Sequence, residues 1–92
     1  MPETRVQART ASEAVALVHG SRWDAYGPPE GTMGRVAALW AAYLGHPVTM
    51  RDACQMMVLL KVARSRHAGG SHDTFVDQVA YSLLAENATH QV

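Results

Sequence analysis

The residues whose types and spacing could do chemistry lie in one stretch of the chain, KVARSRHAGGSHDTFVDQVAY. Lys61 and Arg64 precede a Gly-Gly pair, and three polar residues spaced by four follow it: Asp73, Asp77 and Tyr81. On helices, each set would lie along one face. If the two helices form an antiparallel hairpin, residues equidistant from the turn meet, which places Lys61 near Asp77 and Arg64 near Thr74.

Two interpretations of this hairpin stay open. The structural one is an ion-pair network between the two helices, in which Tyr81 supplies a hydrogen bond. The functional one is a phosphate or nucleotide site, in which Lys61 and Arg64 meet phosphate oxygens while Asp73 and Asp77 hold a divalent cation such as Mg²⁺. Hard cations take oxygen ligands, and the guanidinium fork suits phosphate. No cofactor is certain on this evidence.

Other chemistries have less support in the sequence. A zinc site built from His67, His72 and Asp73 would span a Gly-rich turn and lacks a cysteine ligand. There is no Walker loop, no dinucleotide-binding glycine pattern and no Ser-His-Asp motif. We therefore expect binding rather than catalysis, although an enzymatic function stays open.

Composition excludes several classes of partner. Eight basic residues balance eight acidic ones, so no net positive field favours nonspecific nucleic-acid binding. The single cysteine, Cys54, cannot form an intramolecular disulfide, and no charged-then-apolar signal pattern opens the chain. No apolar run approaches the roughly 20 residues that span a bilayer. We expect a cytoplasmic protein, away from membranes.

Apolar residues at spacings of three and four predict an all-α fold, a compact four-helix domain, with no strand. The first helix is predicted to start at a capping pair, Thr10 and Glu13. An aromatic Gly/Pro loop, SRWDAYGPPEGT, then separates it from a second helix whose apolar periodicity starts at Met33 and which Gly45 and Pro47 end.

Thr49 and Asp52 form a second capping pair, and Ser71 or Asp73 is predicted to cap the last helix. The third helix is apolar around most of its circumference, so we expect it to be central. Residues 1–9 are predicted to be a flexible arm, residues 10–86 the single helical domain, and residues 87–92 a flexible tail.

The third helix also predicts self-association. Three other short helices cannot cover it on all sides, so part of its apolar surface is expected to meet a second copy of the chain. The simplest assembly is a two-fold homodimer, formed either by the third helices or by the second helices with Trp40 and Tyr43.

The pattern YGPPEGTMGRVAALWAAYLG, then LLKVAR, then DTFVDQVAY, resembles a family of small helical proteins of tailed bacteriophages that is described only as a domain of unknown function. The resemblance covers roughly residues 26–84. Family members read YGDP and ENF, IAxLWxAYLG, MMxLLKxAR and DSxVDxAGYA. Here Pro28 replaces an Asp, and Gly31 and Thr32 replace Glu and Asn.

That family is distantly similar to phage nucleotide-modification-associated domains and to all-α nucleoside triphosphate pyrophosphohydrolases. The resemblance therefore implies deoxynucleotide binding, with Tyr26 and Tyr81 beside Lys61 and Arg64. Hydrolases of that type hold magnesium ions with several carboxylates in E-x-x-E and E-x-x-D pairs, which this chain lacks. We expect a phage-encoded accessory protein that binds a phage or host protein without catalysis. The alternative is a nucleotide-binding or pyrophosphohydrolase-like enzyme.

Overall fold

The computed structural model describes residues 8–19 and 29–90, and within those ranges the chain is helical with no strand. The described ranges contain four α-helices: α1 Ala8–His19, α2 Pro29–Leu44, α3 Met50–Arg64 and α4 His72–His90. A short 3₁₀ turn, His67–Gly69, lies between α3 and α4. The predicted all-α four-helix domain is confirmed. The predicted aromatic loop around Trp23 and Tyr26 lies outside the described residues.

The central helix is α4, and the prediction that α3 is central was wrong. α4 packs most extensively on α3, then on α1, and touches α2 lightly. It supplies about half of the buried residues, which are Thr74, Val76, Ala80, Leu84, Ala85 and Ala88. Three of those are alanines, whose small side chains let neighbouring helices approach closely. α3 buries only Ala53 and Cys54 completely.

The first two helices begin earlier than the sequence indicated. α1 begins at Ala8, so Thr10 lies within the helix and is not its cap. Glu13, its predicted capping partner, instead bonds a residue of α4, and that tertiary contact replaces the local one. α2 begins at Pro29 rather than Met33, because proline fits the first turn of a helix, where its missing N–H would have had no partner.

The remaining boundaries follow local sequence signals. α2 ends at Leu44, where Gly45 has φ 69° and the amides of Gly45 and His46 both donate to the Ala41 carbonyl. The predicted capping box of α3 is present: Asp52 N donates to Thr49 Oγ1 at 3.0 Å, and Thr49 N to Asp52 Oδ2 at 3.1 Å.

The turn between α3 and α4 depends on a glycine. Gly70 has φ 82°, and a Cβ there would lie 3.0 Å from Ser65 Cβ and 3.2 Å from Phe75 Cε2. Only glycine fits this position without displacing its neighbours. The turn brings α3 and α4 together as the predicted hairpin.

The start of α4 agrees with the sequence prediction, whereas its end lies further along the chain than predicted. Ser71 caps the first turn, since its Oγ accepts from Thr74 N at 3.1 Å. At the other end the helix runs to His90, past residue 86, where the sequence analysis ends the domain. The reason is packing, because Ala88 is only 3% exposed.

Candidate functional site

The seam between α3 and α4 contains an ion pair. Lys61 Nζ lies 3.0 Å from Asp77 Oδ2, and the two side chains are 16% and 32% exposed. Hairpin geometry predicted this contact, and the structure contains it. Because Lys61 is largely withdrawn from water, its charge needs a partner, and Asp77 supplies one. The pair is therefore more costly to break than an ion pair on an open surface.

The other cation and carboxylate of the predicted site stay apart from this pair. Arg64 and Asp73 are both exposed, and neither makes an ion pair with another residue of the described ranges. Thr74, expected near Arg64, is buried and bonds Ser71 instead. The structure thus brings two of the four charged residues together.

The two tyrosines of the predicted nucleotide site have different outcomes. Tyr81 is half-buried and packs against the hydrophobic core. Tyr26 lies outside the described residues. Whether either contacts a nucleotide stays a prediction.

The described part of the chain contains no cluster of three or more His, Cys, Asp or Glu side chains that could hold a metal ion. The zinc alternative, which needed His67, His72 and Asp73 together, was wrong, because His72 faces α1 instead. A Mg²⁺ ion at Asp73 and Asp77 would have to share Asp77 with the Lys61 ammonium group. Metal binding by Asp73 and Asp77 stays a prediction.

The sequence analysis missed a second polar contact, between α1 and α4. His72 Nε2 lies 2.5 Å from Glu13 Oε2, and Arg9 Nη1 approaches the other oxygen of the same carboxylate at 3.7 Å. His72 and Glu13 are 59 residues apart, so no local spacing could have indicated that they meet. This contact ties the first helix to the start of the last one.

Large apolar side chains are exposed on the other side of α3. This outer face of α3 carries Met56, Leu59, Leu60 and Val62, which are 40%, 66%, 47% and 43% exposed. Their neighbours Met57 and Val58 are half-buried and point inward. The predicted apolar surplus of α3 is therefore present, and the structure shows which side of the helix carries it.

A second apolar surface lies at the end of α2. Leu39, Tyr43 and Leu44, here called the α2 cluster, are 69%, 90% and 57% exposed. Trp40, between them in sequence, is half-buried against the core. Single exposed apolar residues are ordinary on protein surfaces, but groups of large ones mark interaction sites.

These features define a small all-α protein with a closed ion pair in its interior seam and exposed apolar helix faces. The chain belongs to the family described as "Domain of unknown function (DUF6378)", whose model matches residues 9–89. That assignment confirms the resemblance found in the sequence. Within the described ranges, none of the helices combines the length and the apolar character needed to cross a membrane.

Two relatives come from mycobacteriophages. The chain is 34% identical over 74 residues to the Gene 55 protein of Mycobacterium phage D29, covering 80% of this chain and 49% of that protein. It is 38% identical over 74 residues to the Gene 55 protein of Mycobacterium phage L5, covering 79% of this chain and 47% of that protein. The chain thus spans about half the length of these relatives. The expected phage origin is supported by both, and no solved structure matches the chain.

Proposed function

We propose that this chain is a phage accessory protein that acts by binding another protein, of the phage or of its host, without catalysis of its own. The observation that carries the proposal is the α2 cluster. Tyr43 is 90% exposed and lies beside Leu44 and one turn from Leu39, both more than half exposed, and groups of large exposed apolar residues mark interaction sites.

The geometry of α2 indicates the chemistry of that partner. Arg35, Leu39 and Tyr43 are spaced by four, so they lie along one face of the helix. Tyrosine and arginine are the residue types most often responsible for binding energy at protein interfaces. Within the described part of the chain, the Arg35 guanidinium bonds only Thr32 Oγ1, at 3.4 Å. A fitting partner offers an apolar pocket with a carboxylate at its edge.

The position of α2 in the fold also favours this role. α2 packs on α3 and barely touches α4, while α1 contacts α4. One side of α2 is therefore fixed to the domain and the other side stays available. A partner can cover the α2 cluster without disturbing the core.

The polar seam gives less support to the competing nucleotide function. The phosphate site predicted from the hairpin residues needs Lys61 for phosphate oxygens and Asp77 for a cation, but the two side chains already neutralise each other. A nucleotide would have to break that half-buried pair first. Nucleotide binding by this chain stays a prediction.

The proposal is tested by affinity capture from lysate of phage-infected host cells. The bait proteins are the wild type, Tyr43→Ala, and the matched control Val15→Ala, which truncates an exposed apolar residue on α1. We expect one protein to be retained by the wild type and the control, with its affinity for Tyr43→Ala reduced roughly 30-fold, as for an interface tyrosine worth about 2 kcal/mol. Capture that Tyr43→Ala leaves unchanged would overturn the proposal.

A further inference from the structure

The outer face of α3 contains a stripe of exposed residues spaced alternately by four and by three. Its members are Asp52, Met56, Leu59, Ala63 and Arg66. This is the spacing by which one helix packs along another. The backbone keeps helical angles beyond the end of α3, with φ −68° and ψ −28° at Arg66, so Arg66 continues the line of the stripe.

The charges of the stripe are confined to its two ends. Asp52 is at one end and Arg66 at the other, and the three residues between them are uncharged. The other cations of α3 lie off this line, and Arg51, next to Asp52 in sequence, is about 80° around the helix from Leu59. Lys61 contacts Asp77, and Arg64 lies about 140° around the helix from Leu59, at about 100° per residue.

We propose that a second copy of this chain packs on the stripe, with the two α3 helices antiparallel and Leu59 on the two-fold axis. Leu59 then meets Leu59 of the other copy, and Met56 lies opposite Val62 and the small Ala63. Asp52, seven residues before the axis, meets Arg66 of the other copy, seven residues after it. A two-fold interface uses the same surface on both copies, so that surface must be complementary to itself. The stripe meets this condition, because its acidic end lies opposite the basic end of the other copy.

Electrostatics selects the antiparallel arrangement over the parallel one. A parallel pair would place Asp52 beside Asp52 and Arg66 beside Arg66, which like-charge repulsion disfavours. The hydrogen bond from Thr49 N is the main cause that lowers the pKa of Asp52, so this end of the stripe is negative at neutral pH. That bond uses Oδ2, so in the proposed dimer Oδ1 can accept from the Arg66 guanidinium of the other copy.

A second copy suits the stripe better than an unrelated protein does. An unrelated partner would have to supply a basic end, an apolar centre and an acidic end in the matching order, whereas the chain itself already has them. Three large side chains per copy, Met56, Leu59 and Val62, make a small interface, in the range of weak complexes. We therefore expect a dissociation constant of about 1 to 100 µM. The inference does not rest on the proposed function, because α2 takes no part in it.

Sedimentation velocity of the purified full chain, from about 1 µM to about 1 mM, tests this proposal. The wild-type mass should rise with concentration from the 10.0 kDa of the monomer towards twice that value. Leu59→Glu should keep the monomer mass throughout, because it places two carboxylates on the axis. Because Leu59 is 66% exposed, the Leu59→Glu protein should keep its fold, which circular dichroism can check.

Two charge reversals distinguish this interface from other contacts. Arg66→Glu places a carboxylate opposite Asp52 and should weaken the dimer at least tenfold, and added salt should partly restore it. The matched control Arg64→Glu makes the same change off the stripe and should leave the dissociation constant unchanged. A wild type that stays at 10.0 kDa, a dimer that Leu59→Glu leaves intact, or equal effects of the two reversals would each overturn the proposal.

Discussion

Each side of α3 carries a residue type that is unusual there, a charged residue on the inner side and a large apolar residue on the outer side. On the inner side a lysine, Lys61, is only 16% exposed and bonded to Asp77. On the outer side Leu59 is 66% exposed. Two of the four charged residues that suggested a ligand site, Lys61 and Asp77, neutralise each other, while several apolar residues that suggested a core are exposed. We therefore propose that the chain recognises its partners through these exposed apolar residues.

The largest expected difference is in the loss of stability when each of two neighbouring methionines, one on each side of α3, is replaced by alanine. Met57 packs against the core, so Met57→Ala should reduce the free energy of unfolding by about 2 kcal/mol, the lower end of the range for buried methionines. Met56→Ala, on the outer face, is the matched control. This substitution should reduce the free energy of unfolding by at most about 0.5 kcal/mol in dilute protein, as for other surface residues.

Chemical denaturation at two protein concentrations makes this comparison sharper. The loss of unfolding free energy caused by Met57→Ala should be the same at both protein concentrations, because core packing lies within one chain. The loss caused by Met56→Ala should grow at the higher concentration, where the proposed dimer covers the outer face of α3. Equal deficits for the two methionines would show that the two sides of the helix do not differ.

The next largest effect concerns the ion pair. Asp77→Ala should reduce the free energy of unfolding by about 1 to 2 kcal/mol, between the values for exposed and fully buried pairs, since it leaves Lys61 without its partner. In a double-mutant cycle, Lys61→Met combined with Asp77→Ala should recover part of the loss. A rise in melting temperature for Asp77→Ala would indicate instead that Asp77 is held at an energetic cost for function.

The smallest expected loss of stability comes from the start of α3, where the Thr49 cap fixes the helix that carries both surfaces. Thr49→Ala removes the side-chain cap and should cost about 1 kcal/mol, measurable by urea denaturation. A loss below about 0.3 kcal/mol would mean that the capping box contributes little in solution.

The capping box should also make stability depend on pH. The pKa of Asp52 is lowered in the folded chain, chiefly by the hydrogen bond from Thr49 N. Its stabilisation is therefore complete above the ordinary value of 3.8 and is lost as the pH falls through the lower, folded value. Thermal unfolding of wild type and Asp52→Asn should differ at pH 7 and converge in acid. A difference that persists at pH 2 would exclude this linkage.

Local signals in the sequence predicted much of the fold. The Thr49 and Asp52 cap, the helix end at Gly45 and the contact of Lys61 with Asp77 all involve residues close in sequence or related by one hairpin. Such features depend on short-range geometry, which spacing alone reveals. The fold class follows from apolar periodicity for the same reason.

Long-range packing could not be predicted in the same way. Glu13 has suitable spacing for a cap, yet it bonds His72 across the fold. Because α3 is apolar on most sides, its sequence does not tell which side faces inward. The central position of α4 depends on close packing at Ala80, Ala85 and Ala88, which is visible only when the helices are assembled.

The central claim is that this chain recognises partners through apolar helix faces, and that the Lys61 and Asp77 pair is structural. The most direct measurement is the melting temperature of the wild type and Lys61→Met with each deoxynucleoside triphosphate and Mg²⁺. The account predicts no change for either protein. A wild-type increase of several degrees, which a ligand at 100 times its dissociation constant would cause, would contradict the account if Lys61→Met abolished it.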